Sequence, residues 1–184
     1  MALTESTMRQ LGTTAPDFAL PDVVSGKTVR RDDFRGENGL LVMFICTHCP
    51  YVIHVGKGLA DLGRDYAGKL GIVAISSNDA ESYPDDSPAG LKKQAQRLEF
   101  KFPYLYDESQ AVAHAYDAAC TPDLYLFDKD FKLVYRGQFD ASRPGNGIPV
   151  TGKDLRTAMD AVLRGEKPNP DQKASIGCNI KWKR

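Results

Sequence analysis

The 184-residue sequence predicts an α/β fold: a three-layer α/β/α sandwich with a mixed central sheet and an N-terminal β-hairpin extension. Three observations predict it. Two apolar runs, "NGLLVMFI" at 38–45 and "GIVAISS" at 71–77, read as strands buried on both faces. Stretches with helical apolar spacing follow each of them, and strands alternating with helices imply parallel pairs in one sheet. "DLYLFD" and "KLVYRGQF", around a turn at Asp128-Lys129-Asp130-Phe131, read as a hairpin that adds antiparallel strands.

Taken in order, "APDFALPDVVSGKTVRRDDF" is two short strands around a turn at Ser25-Gly26. Beyond Cys49, the apolar residues Val52, Val55, Leu59, Leu62 and Tyr66 recur every three or four positions, a helix ending near Gly68 or Gly71. The acidic stretch "NDAESYPDDSPAG" is expected to be a solvated loop. Ser87 and Pro88 then start a helix that continues through "AGLKKQAQRLEF". "ESQAVAHAYDA" is a further helix candidate. Thr151 with Asp154 three residues on resembles a capping box and opens a final helix through Leu163. Residues 1–11 are expected to be an N-terminal arm, 12–165 one domain, and 166–184 a tail, without periodicity, that can dock on the domain.

Twenty-four basic and 24 acidic residues cancel, with no basic stripe, which argues against nucleic acid as a partner. The N-terminus carries no apolar run of signal-peptide length, and no segment approaches the ~18 apolar residues of a membrane span. A cytoplasmic protein with no membrane partner is the expectation. Four cysteines, Cys46, Cys49, Cys120 and Cys178, are too few for a disulfide-stapled scaffold, leaving redox chemistry, metal binding or burial.

Cys46 and Cys49 stand directly after a buried strand and at the opening of a helix. A thiolate is the reactive form of cysteine, and a helix N-terminus favours it through free N–H groups and the helix dipole. Cys46 is therefore expected to be the activated nucleophile, with His48 as a nearby group that can be cationic. Cys49, three residues on, is spaced to resolve a mixed disulfide on Cys46. A zinc site would need Cys120, Cys178 or a histidine as further ligands, and no second close pair makes one compact. His54 and His114 fall on helical stretches and read as surface or core-edge residues.

"FICTHCPYV" resembles the active site of the thioredoxin-fold superfamily. "APDFALPD" with "GKTVRRDDFRG" resembles the N-terminal hairpin of peroxiredoxins and related thioredoxin-like reductases, and "CTPDLYLFDKDFKLVYRGQF" resembles their loop, proline and hairpin. With the tail "SIGCNIKWK", the chain is similar to a bacterial peroxiredoxin-like, AhpC/TSA-related group of thiol-disulfide isomerase/thioredoxin proteins. The resemblance implies a thioredoxin-like fold and a thiol-disulfide oxidoreductase needing no cofactor. Its partners would be a protein or small-molecule disulfide substrate and a thiol electron donor. It makes Cys46 the nucleophile and Cys49 the resolving thiol. Thr47, Thr121 and Pro122 would bind substrate, with Pro122 at the family's cis-proline position.

The chain also departs from its relatives. Cys46 holds the position of the peroxiredoxin threonine and Cys49 that of the peroxidatic cysteine, while the peroxiredoxin arginine falls near Pro122, so a thiol peroxidase is the second reading. Ile45 and Leu40 stand where thioredoxin has a tryptophan and a buried acid, which leaves the base for Cys49 unassigned. The histidine of Cys-Thr-His-Cys is shared with strongly oxidising disulfide oxidases, implying a potential above thioredoxin's ~−270 mV. A copper-delivery module, with His114 as distant ligand, is a third reading. Cys120 is expected to pack, or to receive a disulfide from Cys46. Cys178 is an additional redox candidate if the tail folds over the pair.

Overall fold

A computed structural model describes residues 3–184; the first two residues of the expected arm lie outside it. The chain opens with β1 (Leu3–Glu5), β2 (Ala19–Pro21) and β3 (Thr28–Arg30). The core begins with β4 (Gly39–Phe44), α1 (Pro50–Asp65), β5 (Gly71–Ser76), α2 (Pro88–Leu98) and β6 (Tyr104–Tyr106). Then come α3 (Ala111–Ala115), β7 (Cys120–Thr121), β8 (Asp123–Asp128), β9 (Leu133–Arg136), α4 (Lys153–Leu163) and β10 (Ile176–Asn179).

The main sheet runs β6-β5-β4-β8-β9 and is mixed, as expected: β4–β5 and β5–β6 are parallel, β4–β8 and β8–β9 antiparallel. Strand β4 is central and buried throughout because its side chains alternate between two cores. Leu41, Met43 and Ile45 join the core under α1, α2 and α4. Leu40, Val42 and Phe44 join the one under α3 and the N-terminal segment around Ala15 and Phe18. That alternation makes the three layers, and it fixes the direction in which the chain leaves the sheet at Cys46. Strands β2 and β3 form the expected hairpin. No described helix is long and apolar enough to cross a membrane.

Several expectations are corrected. Helix α1 begins at Pro50 with Cys49 as its N-cap, so Cys46 lies a turn ahead of the helix rather than at its start. The capping box at Thr151 does not form: Gly152 is the N-cap, in a left-handed conformation, and Asp154 instead accepts from Gln138 (2.5 Å). Asp140 holds that end, accepting from the N–H groups of Thr151 (2.7 Å) and Gly152 (2.6 Å). The expected arm contains β1, and the tail without periodicity contains β10. Those two segments and β7 make a second small sheet in the order β1-β10-β7. Strands β6 and β7 are additions too short to leave a sequence signature.

Leu41→Ala, at a fully buried position under α1, is expected to cost about 3 kcal/mol of stability. Urea denaturation followed by circular dichroism measures it.

Candidate active site

Strand β4 ends at Phe44, and the next turn carries Cys46-Thr47-His48-Cys49 into α1. Both cysteines are enclosed, Cys46 at 1% and Cys49 at 0% exposure, and all four thiols are unbonded. The Cys46 sulfur lies 3.4 Å from Thr121 Oγ1. Its carbonyl accepts from Gln94 Nε2 (3.0 Å), and Tyr104 OH donates to Gln94 Oε1 (2.9 Å). Gln94 sits on the buried face of α2 beside Leu91 and Ala95 and steers the Cys46 backbone. A polar residue at that helical spacing was the available sequence signal for it.

The Cys49 sulfur lies 2.9 Å from that of Cys178 and 3.2 Å from the Thr121 carbonyl. Three thiols thus meet at the edge carrying Thr121 and Pro122, whose peptide bond is cis. A hydrogen bond from Cys46 is the main cause that lowers Cys49, against burial, to about 4; Cys178, the Thr121 side chain and the Val52 backbone at the helix start lower it further. Cys46 is correspondingly pushed well up by that bond, by burial and by the Asp86 charge. Burial first, then the bond to Cys49, raises Cys178 to about 12. Among the three thiols, ionisation is therefore favoured at Cys49 over Cys46 and Cys178. When Cys49 is a thiol, the Thr121 carbonyl is its acceptor. Cys120 is fully buried against the Pro122 carbonyl (3.6 Å), and burial raises its thiol strongly.

Asp86 organises the turn. The expected solvated loop buries this carboxylate completely, with Asp79 also buried. Asp86 accepts from the Thr47 N–H (2.8 Å), Thr47 Oγ1 (2.6 Å) and Asn78 Nδ2 (2.7 Å), and pairs with His48 Nδ1 at 2.8 Å. Burial pushes Asp86 up, but the His48, Thr47 and Asn78 donors outweigh it and its pKa is lowered. The same bond raises His48, against burial. The imidazole Nδ1 is thus directed at Asp86, and its ring stacks on Tyr83 at 5.3 Å. Nothing in the local pattern of "SYPDDSP" singles out Asp86, since its donors come from two other segments.

Cys46, His48 and Asp86 each place one possible ligand atom within 4.8 Å of the others. Asp86 already has four donors, so a cation there would displace bonds that hold the turn. His114 stacks on Trp182 (4.1 Å) and is not in that group; His54 lines a small cleft with Tyr51 and Pro122. An open groove of about 290 Å³ lies beside the turn, lined by Thr47, His48, Asp85, Gln94 and the basic pair Lys93 and Arg97. A larger one of about 490 Å³, between α4 and residues 164–173, has no cysteine in its walls.

Comparison with known proteins agrees with this architecture. The AhpC/TSA family model matches residues 11–136. Thiol-disulfide oxidoreductase ResA of Geobacillus thermodenitrificans is 31% identical over 130 residues, covering 71% of this chain and 70% of that protein. Among solved structures, an uncharacterized conserved protein from Geobacillus kaustophilus superposes with a TM-score of 0.97 at 56% identity, covering 100% of this chain and 97% of that one. The thioredoxin domain of a thiol-disulfide oxidoreductase from Bacteroides vulgatus superposes with a TM-score of 0.55 at 19% identity over 69% of this chain and 87% of that one. That likeness bears on the fold alone, which is thioredoxin-like.

Asp86→Ala is expected to cost about 3 kcal/mol in urea unfolding, because the Thr47 and Asn78 donors and the His48 cation lose their buried acceptor. Asp86→Asn is expected to lower the His48 pKa toward its ordinary ~6.5, read by NMR titration. The depressed Cys49 thiol contributes stability that is full above the unfolded thiol's ~8.5 and is lost as pH falls through about 4. The ultraviolet absorbance of a thiolate should accordingly persist at neutral pH, vanish near pH 4, and be missing in Cys49→Ser.

Proposed function

From the chain's membership of the AhpC/TSA family, we propose that it is a thiol-disulfide oxidoreductase working through Cys46 and Cys49. The observation that carries the reading is that both thiols of the turn close on one residue: the Cys46 sulfur lies 3.4 Å from Thr121 Oγ1 and the Cys49 sulfur 3.2 Å from the Thr121 carbonyl. Cys46 is the thiol that meets substrate. Its carbonyl is tied to Gln94, a wall of the open groove, while Cys49 faces Thr121 and Cys178 inside. At 1% exposure Cys46 is reached only when its half-exposed neighbours Thr47 and His48 yield.

Cys46 attacks one sulfur of the substrate disulfide and gives up its proton as it does so. The new Cys46–substrate bond forms, the substrate disulfide breaks, and one half leaves as a thiolate that takes up the proton Cys46 has given up. The Cys49 thiolate then attacks Cys46, releasing the second half as a thiolate and leaving Cys46 and Cys49 disulfide-bonded. Cys49 is in this way the resolving nucleophile. An external dithiol returns the pair to the reduced state. A thiolate stabilised in the reduced form raises the potential, so the pair is expected to be more oxidising than thioredoxin at ~−270 mV.

One observation favours a thiol peroxidase as second reading: the depressed thiol is Cys49, the residue at the peroxidatic position. Among the described residues no arginine donates to the Cys49 sulfur, whose partners are Cys178 and the Thr121 carbonyl, and this weighs the other way. The two readings separate experimentally. Disulfide reduction of insulin should fall at least ~100-fold in Cys46→Ser, and Cys49→Ser should accumulate a mixed disulfide on Cys46. Full activity in Cys46→Ser would sink the reading. Rapid peroxide consumption that survives Cys46→Ser and disappears in Cys49→Ser would install the peroxidase instead.

A further inference from the structure

The small sheet β1-β10-β7 brings a residue distant in sequence against the resolving thiol. Cys178 pairs with Thr121 across β10 and β7, and its sulfur stands 2.9 Å from that of Cys49. A disulfide bond is ~2.05 Å long, so less than 1 Å separates contact from bond. Sequence separation is 129 residues, so this approach comes from tertiary structure alone.

The approach is close because Gly177 permits it. A Cβ on Gly177 would stand 1.9 Å from the Thr121 carbonyl oxygen, which no side chain can accept. Hydrogen bonds at both ends pin the strand. Ser175 Oγ donates to the Pro122 carbonyl (2.5 Å), the Ile180 N–H to the Ala119 carbonyl (3.1 Å), and the Lys181 N–H to Asn78 Oδ1 (2.8 Å). Asn78 is the residue whose amide also holds Asp86. The third thiol and the Cys46 turn are thus anchored to one network. A buried cysteine is ordinarily a small apolar filler. Cys178 differs in facing a sulfur that already takes part in exchange.

We propose that Cys178 is a third redox-active thiol, which takes Cys49 over from Cys46 and stores the disulfide as Cys49–Cys178. This rests on the reading of Cys46 and Cys49 as the exchanging pair. Cys178, as a thiolate, attacks the Cys49 sulfur of the Cys46–Cys49 disulfide. The Cys49–Cys178 bond forms, the Cys46–Cys49 bond breaks, and Cys46 leaves as a thiolate that receives the proton given up by Cys178. One disulfide and one thiol stand on each side, so no further oxidant enters the step. Burial, the Cys49 hydrogen bond and the Cys49 charge all raise Cys178 in the reduced chain. Once Cys49 is in a disulfide, only burial remains to oppose ionisation. The result is a free Cys46 beside the groove, with the oxidising equivalent held inside.

The test uses the full chain, reduced and then treated with oxidised glutathione, quenched in acid, alkylated and mapped by mass spectrometry. A Cys49–Cys178 peptide in at least a tenth of oxidised molecules, beside Cys46–Cys49, is the expected result. Cys46–Cys49 formed with Cys178 alkylated throughout overturns the third thiol and leaves the exchanging pair intact. If neither Cys46 nor Cys49 enters a disulfide, both fall. Gly177→Ala keeps every thiol, and should lower the Cys49–Cys178 fraction at least tenfold while Cys46–Cys49 persists; an unchanged fraction overturns the proposal. Should that variant fail to fold, Cys46→Ala treated with diamide supplies the check. Cys49–Cys178 is expected to form there, and two alkylated thiols would overturn it.

Discussion

A fully buried carboxylate is tolerated only where donors replace the water it has lost, since an unpaired charge in the interior costs several kcal/mol. Asp86 meets that condition with donors from three residues: the backbone and hydroxyl of Thr47, the imidazole of His48 and the amide of Asn78. Two of those residues are the interior of the Cys-x-x-Cys turn. The third, Asn78, follows β5 and uses its carbonyl oxygen to hold the backbone of Lys181, just past β10. One acid therefore ties the thiol turn, the end of a core strand and the C-terminal strand together. The positions of Cys46, Cys49 and Cys178 all depend on that acid staying charged and enclosed.

The division of labour between helix and thiols follows from where α1 begins. Cys49 is the N-cap of α1, and the Val52 backbone at the helix start adds to the neighbouring thiols and Thr121 in lowering its pKa against burial. The buried acid that thioredoxin uses has no counterpart at Leu40, which faces the opposite core.

Features encoded by a run of adjacent residues were legible in the sequence. The unbroken apolar stretch at 39–44, the spacing from Val52 to Tyr66, and Ser87 before Pro88 each describe one element, and each element formed. The two neighbouring cysteines were legible for the same reason. Asp86 was not, because a carboxylate in an acidic turn-rich stretch looks identical whether water or protein supplies its donors. Thr151 and Asp154 misled because Gln138, from another segment, competed for the Asp154 carboxylate. Cys178 lay in a tail that pairs with two strands, each too short to read.

That pairing has a consequence for how the molecule assembles. Joining β10 to β7 closes a contact between Cys178 and Cys49 across 129 residues, whereas β4, α1 and β5 meet through neighbouring chain. Contacts that span much sequence carry a larger loop-closure cost and are associated with slower folding. The order in which strands dock therefore has a chemical side. Cys46 and Cys49 can find each other through four adjacent residues, while Cys178 can be reached only through a near-complete topology. A chain that meets an oxidant early is thus biased toward the local disulfide, and the distant one becomes a signature of a finished fold.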